Sequence, residues 1–111
     1  MPPRRWDIRI RDILAAIEKI HQYTEDMDLE AFRGDPKTID AVVRNLEIIG
    51  EAARHLPDEI VGKHSEIPWR EMRDMRNLLS HEYFGVNRNI VWETIQTDLP
   101  AIVPFLRDLL S

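Results

Sequence analysis

Arginine, asparagine, serine and histidine fall at short intervals in Arg76-Asn77-Leu78-Leu79-Ser80-His81, and together they suit phosphodiester chemistry. His81 stands four residues after Asn77 and five after Arg76. On a helix the first spacing stacks Asn77 and His81 on one surface. The second leaves Arg76 across a narrow arc, so that Arg76 and His81 can flank one phosphate. A histidine that titrates near neutrality can take a proton from a ribose 2′-OH or give one to a leaving 5′-oxygen. An arginine stabilises the charge that builds on the phosphoryl oxygens in the transition state. An asparagine orients the histidine or holds a phosphate oxygen. RNA carries its own nucleophile, so such a site requires neither a metal nor a serine nucleophile.

The spacing predicts one helix from about Trp69 to Ser80 or His81, led in by Ser65-Glu66-Ile67-Pro68 and unable to run far past Gly85. On its wheel Met72, Met75, Leu78 and Leu79 span roughly 120° of one side. Arg70, Arg73, Arg76, Asn77, Ser80 and His81 fall within about 140° of the other. Arg76 lies nearest the border, where its stem can be covered while its guanidinium stays free. Arg73 and Ser80 are supporting members of this basic face. A solvated surface has the same pattern, and a histidine near a helix C-terminus is favourable with the dipole alone. Spacing by itself leaves both readings open. A site on a single helix is also sparse, and a two-fold dimer would double its arginines and histidines in one groove.

Other helices must position this one. Trp6, Ile10, Ile13, Leu14, Ile17 and Ile20 recur at helical period, with Asp7 to cap or charge the start. The period fades over 23–28, a short helical turn covers Leu29 to Phe32, and Gly34-Asp35-Pro36 breaks the chain. A second long helix follows Pro36, with Ile39, Val42, Val43, Leu46, Ile49 and Ala53 as its stripe. Gly50 inside it calls for close approach of a neighbouring helix or of a second subunit. Leu56-Pro57 ends it, and Asp58 caps a short helix to about His64. The last helix begins near Asn87 to Asn89, and Pro100 and Pro104 should kink or split it. No segment alternates as a strand does. The expectation is an all-α single domain over residues 1–111, an antiparallel four- to five-helix bundle.

Composition narrows the chemistry further. The 111 residues are 43% hydrophobic and 32% charged, and they include no cysteine, which removes disulfides, thiolate metal sites and cysteine nucleophiles. The net charge of −5 argues against a general nucleic-acid coat but leaves room for a local basic cleft. Only Lys19, Lys37 and Lys63 are lysines, so most positive charge is arginine, the better bidentate phosphate ligand. His21, His55 and His64 are scattered and no paired metal-ligand spacing appears, so no metal and no cofactor are expected. Glu51 with Arg54, and Asp40 with Arg44, pair within the second long helix or belong to a dimer groove. Trp69 and Trp92 are core or interface anchors. Gly34 and Gly85 read as turn residues. The first residues carry no apolar run and no stretch is long enough to span a membrane, which makes the cytoplasm the expected compartment.

Arg76-x4-His81-x-Tyr83 resembles the R-x4-H-x-Y motif of HepT-like toxins in the HEPN superfamily. The likeness extends, in order, through Asp40-Ala41-Val42-Val43-Arg44, Ile48-Ile49-Gly50-Glu51-Ala52-Ala53, Ile67-Pro68-Trp69-Arg70, Met75-Arg76-Asn77 and His81-Glu82-Tyr83-Phe84-Gly85-Val86. Val91-Trp92 and Asp98-Leu99-Pro100 follow the same pattern. The resemblance implies a homodimeric helical bundle with both motifs in a shared cleft, and metal-independent endoribonuclease activity in a type VII-like toxin–antitoxin system. It makes Arg76 and His81 the catalytic pair and Asn77 their support. It also implies a minimal nucleotidyltransferase antitoxin that adenylylates Tyr83, and larger hetero-oligomers with that partner. AMP on Tyr83, two residues beyond His81, would set a phosphate and a base where RNA must bind. The alternative is a non-catalytic helical module that scaffolds such a partner or accepts its nucleotide.

Overall fold

The computed structural model describes residues 5–81 and 87–111, with the backbone alone over 76–81. The helices are α1 (Trp6–Thr24), α2 (Leu29–Arg33), α3 (Pro36–Arg54), α4 (Asp58–Val61), α5 (Trp69–His81), α6 (Arg88–Glu93) and α7 (Leu99–Leu109), with a π-helical turn at Thr94–Asp98. Among the described residues there is no strand, and the fold is the all-α bundle that the periodicity predicts.

Side-chain chemistry sets the ends of these helices. Arg5 grips Asp7 with two bonds, Nε to Oδ1 at 3.0 Å and Nη2 to Oδ2 at 2.7 Å, so Asp7 charges the first turn of α1 and does not cap it. Thr24 ends α1 by donating its hydroxyl to the Ile20 carbonyl at 2.8 Å. Asp28 caps α2, accepting from the Ala31 N–H at 2.8 Å. Asp35 caps α3, accepting from the Thr38 N–H at 3.1 Å, and Pro36 sits in the first turn, where a missing N–H costs nothing. Asn87 caps α6 by accepting from the N–H groups of Asn89 and Ile90.

The short fourth helix departs from expectation. Pro57 takes the N-cap place in extended backbone and its carbonyl receives the N–H groups of Ile60 and Val61. Asp58 is therefore the first helical residue, and α4 stops at Val61 before Gly62, well short of His64. At the prolines the helix does not split: Pro104 lies inside α7, and Pro100 is passed through the π turn. The N–H of Leu99 bonds back five residues to Thr94, which widens the helix just ahead of Pro100. A proline at position 100 has no N–H for the carbonyl of Gln96, and its ring would collide with it in an α-helix. The π turn moves that carbonyl aside and lets α6 pass into α7 without a break in the helix.

The core draws on every long helix. Ile10, Ile13 and Ile20 of α1, Val42, Leu46 and Ile49 of α3, and Leu106 of α7 are all but inaccessible to solvent. Each stabilises the fold by about 1.5–3 kcal/mol. α1 packs along α3 and α7, and α3 packs along α5 on its other flank. Phe32 of α2 is fully buried, with its ring 5.2 Å from that of Trp92, which ties α2 to α6. Gly50 is buried within α3, as a mid-helix glycine at a packed face requires.

Candidate functional site

The helix that bears the motif is anchored at its base. Trp69 is buried, and its indole N–H donates to the His64 carbonyl at 3.0 Å. The His64 ring lies between Glu66, 3.3 Å from Nδ1, and Asp108 of α7, 2.8 Å from Nε2, and it packs on Phe105. The start of α5 is thereby tied both to the preceding loop and to the end of α7. Met72 is buried and Met75 half-buried, while Arg70, Glu71 and Asp74 face solvent. The two-faced character read from the wheel holds as far as residue 75.

Arg73 fixes the register of α5 on α3. Its Nε donates to the Ala53 carbonyl at 3.0 Å and its Nη2 to the Leu56 carbonyl at 3.1 Å. These carbonyls belong to the last turn and exit of α3, and the Ala53 carbonyl accepts the Leu56 N–H at 3.3 Å as well. Arg73 therefore serves first as a side-chain cap on a neighbouring helix, a tertiary role that its place on the polar face did not reveal. Because α5 begins at the C-terminal end of α3 and packs along it, the two helices run antiparallel.

Arg76, Asn77, Ser80 and His81 all lie on the helical backbone of α5, in one unbroken run with Arg73. Their side chains, and Tyr83 altogether, lie outside the described residues. Positions 69, 73, 76 and 80 follow one another at spacings of four, three and four, which makes a single row along the helix. Trp69 and Arg73 mark that row as the one turned to α3 and the loop beyond it. Positions 77 and 81 form the adjacent row.

The remaining candidates resolve into ordinary contacts. The partner that α3 gives Glu51 within its own helix is His55, at 2.9 Å from Nε2. His21 is exposed in the last turn of α1. Among the described residues no three histidine or carboxylate side chains converge as metal ligands would. Among them also, no helix is long and apolar enough to cross a membrane.

Comparison with known proteins agrees with this architecture. A family model described as "Ribonuclease HepT-like" matches residues 13–109. The chain is 46% identical over 93 residues to "Probable ribonuclease HepT" of Thermococcus cleftensis, covering 84% of each protein. It is 43% identical over 102 residues to a protein of Caldanaerobacter subterraneus whose name also carries RNase, covering 92% of this chain and 91% of that one. No solved structure gives a significant match. With a match spanning nearly all of the chain and relatives of this identity, the chain belongs to the HepT-like ribonuclease family.

Proposed function

We propose that the protein is an endoribonuclease that cleaves RNA without a metal, using Arg76 and His81 in a cleft shared by two copies of the chain. The observation that carries this reading is the continuity of α5 from Trp69 to His81. It puts positions 76, 77 and 81 on two adjacent rows of a helix whose base is fixed by Arg73, His64 and Trp69. In the proposed step His81 takes the proton of the ribose 2′-OH, and the 2′-oxygen attacks phosphorus. The bond to the 5′-oxygen breaks, and His81 of the second copy protonates that oxygen. The products are a 2′,3′-cyclic phosphate and a free 5′-OH. Arg76 stabilises the phosphoryl charge, with Asn77 and Ser80 as polar support. Arg73 contributes by holding the helix in place.

The same reading makes the protein the toxin of a toxin–antitoxin pair. A minimal nucleotidyltransferase silences it by joining AMP to the Tyr83 hydroxyl. The test is purified protein with RNA in excess chelator. Cleavage by the wild type, lost in both Arg76→Ala and His81→Ala with helicity intact, supports the reading. Cleavage undiminished in both variants overturns the assigned chemistry. No cleavage by a folded wild-type dimer favours the nucleotide-accepting module.

A further inference from the structure

Helix α5 packs along α3 on one side only, and its other side borders a groove. Met72 and Met75 stand roughly 100° and 160° around the helix from Arg73, the residue that meets α3. Across from them lie the π-helical turn and the first turn of α7. The groove between these walls measures about 540 Å³, room for several side chains. Its floor is apolar: Met72, Leu99 and Ile102 are buried and Met75 is half-buried. Methionine is unbranched and flexible, so such a floor can adapt to an incoming side chain. The rims carry charge of one sign. Glu71 stands on the α5 wall and Asp98 on the π-turn wall, with Glu66 at the lead-in to α5. Glu66 faces His64, but Glu71 and Asp98 are exposed and have no ion-pair partner among the described residues. Among those residues no lysine, arginine or histidine lines the groove.

The chemistry of floor and rim selects the occupant. Carboxylates on both walls repel a phosphate backbone, so RNA does not suit the groove. A self-complementary contact between two copies would gather the Glu71 and Asp98 carboxylates of both into one patch, which is unfavourable. A polypeptide with apolar side chains for the floor and cations for the two rims satisfies both. An extended segment would lay unpaired backbone groups over the apolar floor, since no strand edge stands beside it among the described residues. A helix pairs its own backbone and presents an apolar stripe between charged flanks. We infer that this groove docks an amphipathic helix of a partner protein, apolar on one face and bordered by lysine or arginine. The inference does not rest on the ribonuclease reading.

Methionine-methyl NMR on the full-length protein tests it, with Met27, which does not line the groove, as the internal reference. The probe is a synthetic helical peptide of about 16 residues, with leucines on one face and lysines along both borders. Its counterpart carries glutamates in place of the lysines. The lysine peptide should move the Met72 and Met75 methyls and leave Met27 in place, and it should bind at least about tenfold tighter than the glutamate peptide. Glu71→Lys/Asp98→Lys should weaken it at least about tenfold. Glu25→Lys/Asp26→Lys changes the net charge equally at the exposed end of α1 and should weaken it far less. Unmoved Met72 and Met75 methyls, equal affinity for the two peptides, or equal loss in the two charge-reversed variants overturns the inference. So does a second copy in the groove, seen as methyl shifts that grow with protein concentration alone and a sedimenting dimer lost in Met75→Glu. An RNA oligonucleotide that moves the Met72 methyl in the wild type but not in Met75→Glu overturns it as well.

Discussion

Arg73 donates to the carbonyl of Ala53 across the α3–α5 interface at 3.0 Å, which ties the motif helix to the end of α3. The neighbouring bond to Leu56 at 3.1 Å uses a second edge of the same guanidinium. Removing the side chain takes a charged donor from two partly buried carbonyls, of which that of Ala53 keeps the Leu56 N–H. Arg73→Ala should therefore lose about 2–3 kcal/mol in denaturant unfolding. Arg73→Lys should recover only part of it, because an ammonium lacks the fork that reaches both carbonyls. A urea midpoint unchanged in Arg73→Ala would show that the cap is dispensable. If stability falls, RNA cleavage should fall with it, since α5 then loses its register on α3.

Acid should weaken the fold through two carboxylates at helix starts. The Thr38 N–H, and then its hydroxyl, hold the Asp35 carboxyl below its ordinary range. The Arg5 hydrogen bond does the same for Asp7. A carboxyl depressed in the folded state stabilises that state above its unfolded value, and the contribution is lost as pH falls through the folded value. Melting temperature should thus fall as pH drops below about 4. Asp35→Asn keeps a capping oxygen without a titrating one. Its melting temperature should stay near that of wild type at neutral pH and fall less steeply in acid. Superimposable acid profiles would remove Asp35 from this account.

His64 shows how the base of the site is held from a distance. Its Nε2 meets Asp108, 44 residues away in sequence, while its carbonyl receives the Trp69 indole. His64→Ala removes the ring contacts to Asp108, Glu66 and Phe105 together. It should cost about 1–2 kcal/mol, more than Asp108→Asn, where the exposed carboxylate contributes under about 1 kcal/mol. Hydrogen exchange read residue by residue should show faster exchange of the first turn of α5 in His64→Ala. Unchanged protection there would mean that Trp69 alone secures the helix start.

The sequence made some of these features readable and hid others, for definite reasons. The helix starts after Pro36 and near Asn87 and the stripes of α1 and α3 are local properties, set by neighbours within one helical turn. Pro100 announces a lost hydrogen bond, but not whether the backbone will kink, break or widen into a π turn; that choice depends on keeping Leu99, Ile102 and Leu106 in the core. Arg73 falls on the polar side of the wheel beside Arg76, and a wheel reports only that a residue leaves its own core face. Its carbonyl partners lie at the end of α3 and just past it, 20 and 17 residues back. Glu51 read as a partner for Arg54, yet His55 one position later holds it, since the two spacings lie on the same side of a helix.

Tyr83 gives the proposed off-switch a direct test. Co-expression with a minimal nucleotidyltransferase that supplies AMP from ATP should add one or more AMP masses to the intact protein. Tyr83→Phe should acquire none, since the bond forms at the phenolic oxygen. The modified protein should then lose RNA cleavage that its unmodified form retains, because the added phosphate competes for Arg76. An unmodified wild type under these conditions, or an adduct that survives in Tyr83→Phe, would place the switch elsewhere.

Ionic strength should govern the rate through the motif arginines. The chain carries a net charge of −5, so the surrounding field opposes an incoming RNA backbone, and the cleft must supply local attraction. Each phosphate contact made by an arginine releases condensed counterions, which makes binding weaken steeply with salt. Cleavage at limiting RNA should therefore fall as salt rises, with the loss in KM far larger than in kcat. Arg76→Lys keeps the charge and so should keep the salt slope while lowering kcat, because the bidentate geometry is gone. A cleavage rate independent of salt would argue against a cleft held on RNA by arginine–phosphate contacts.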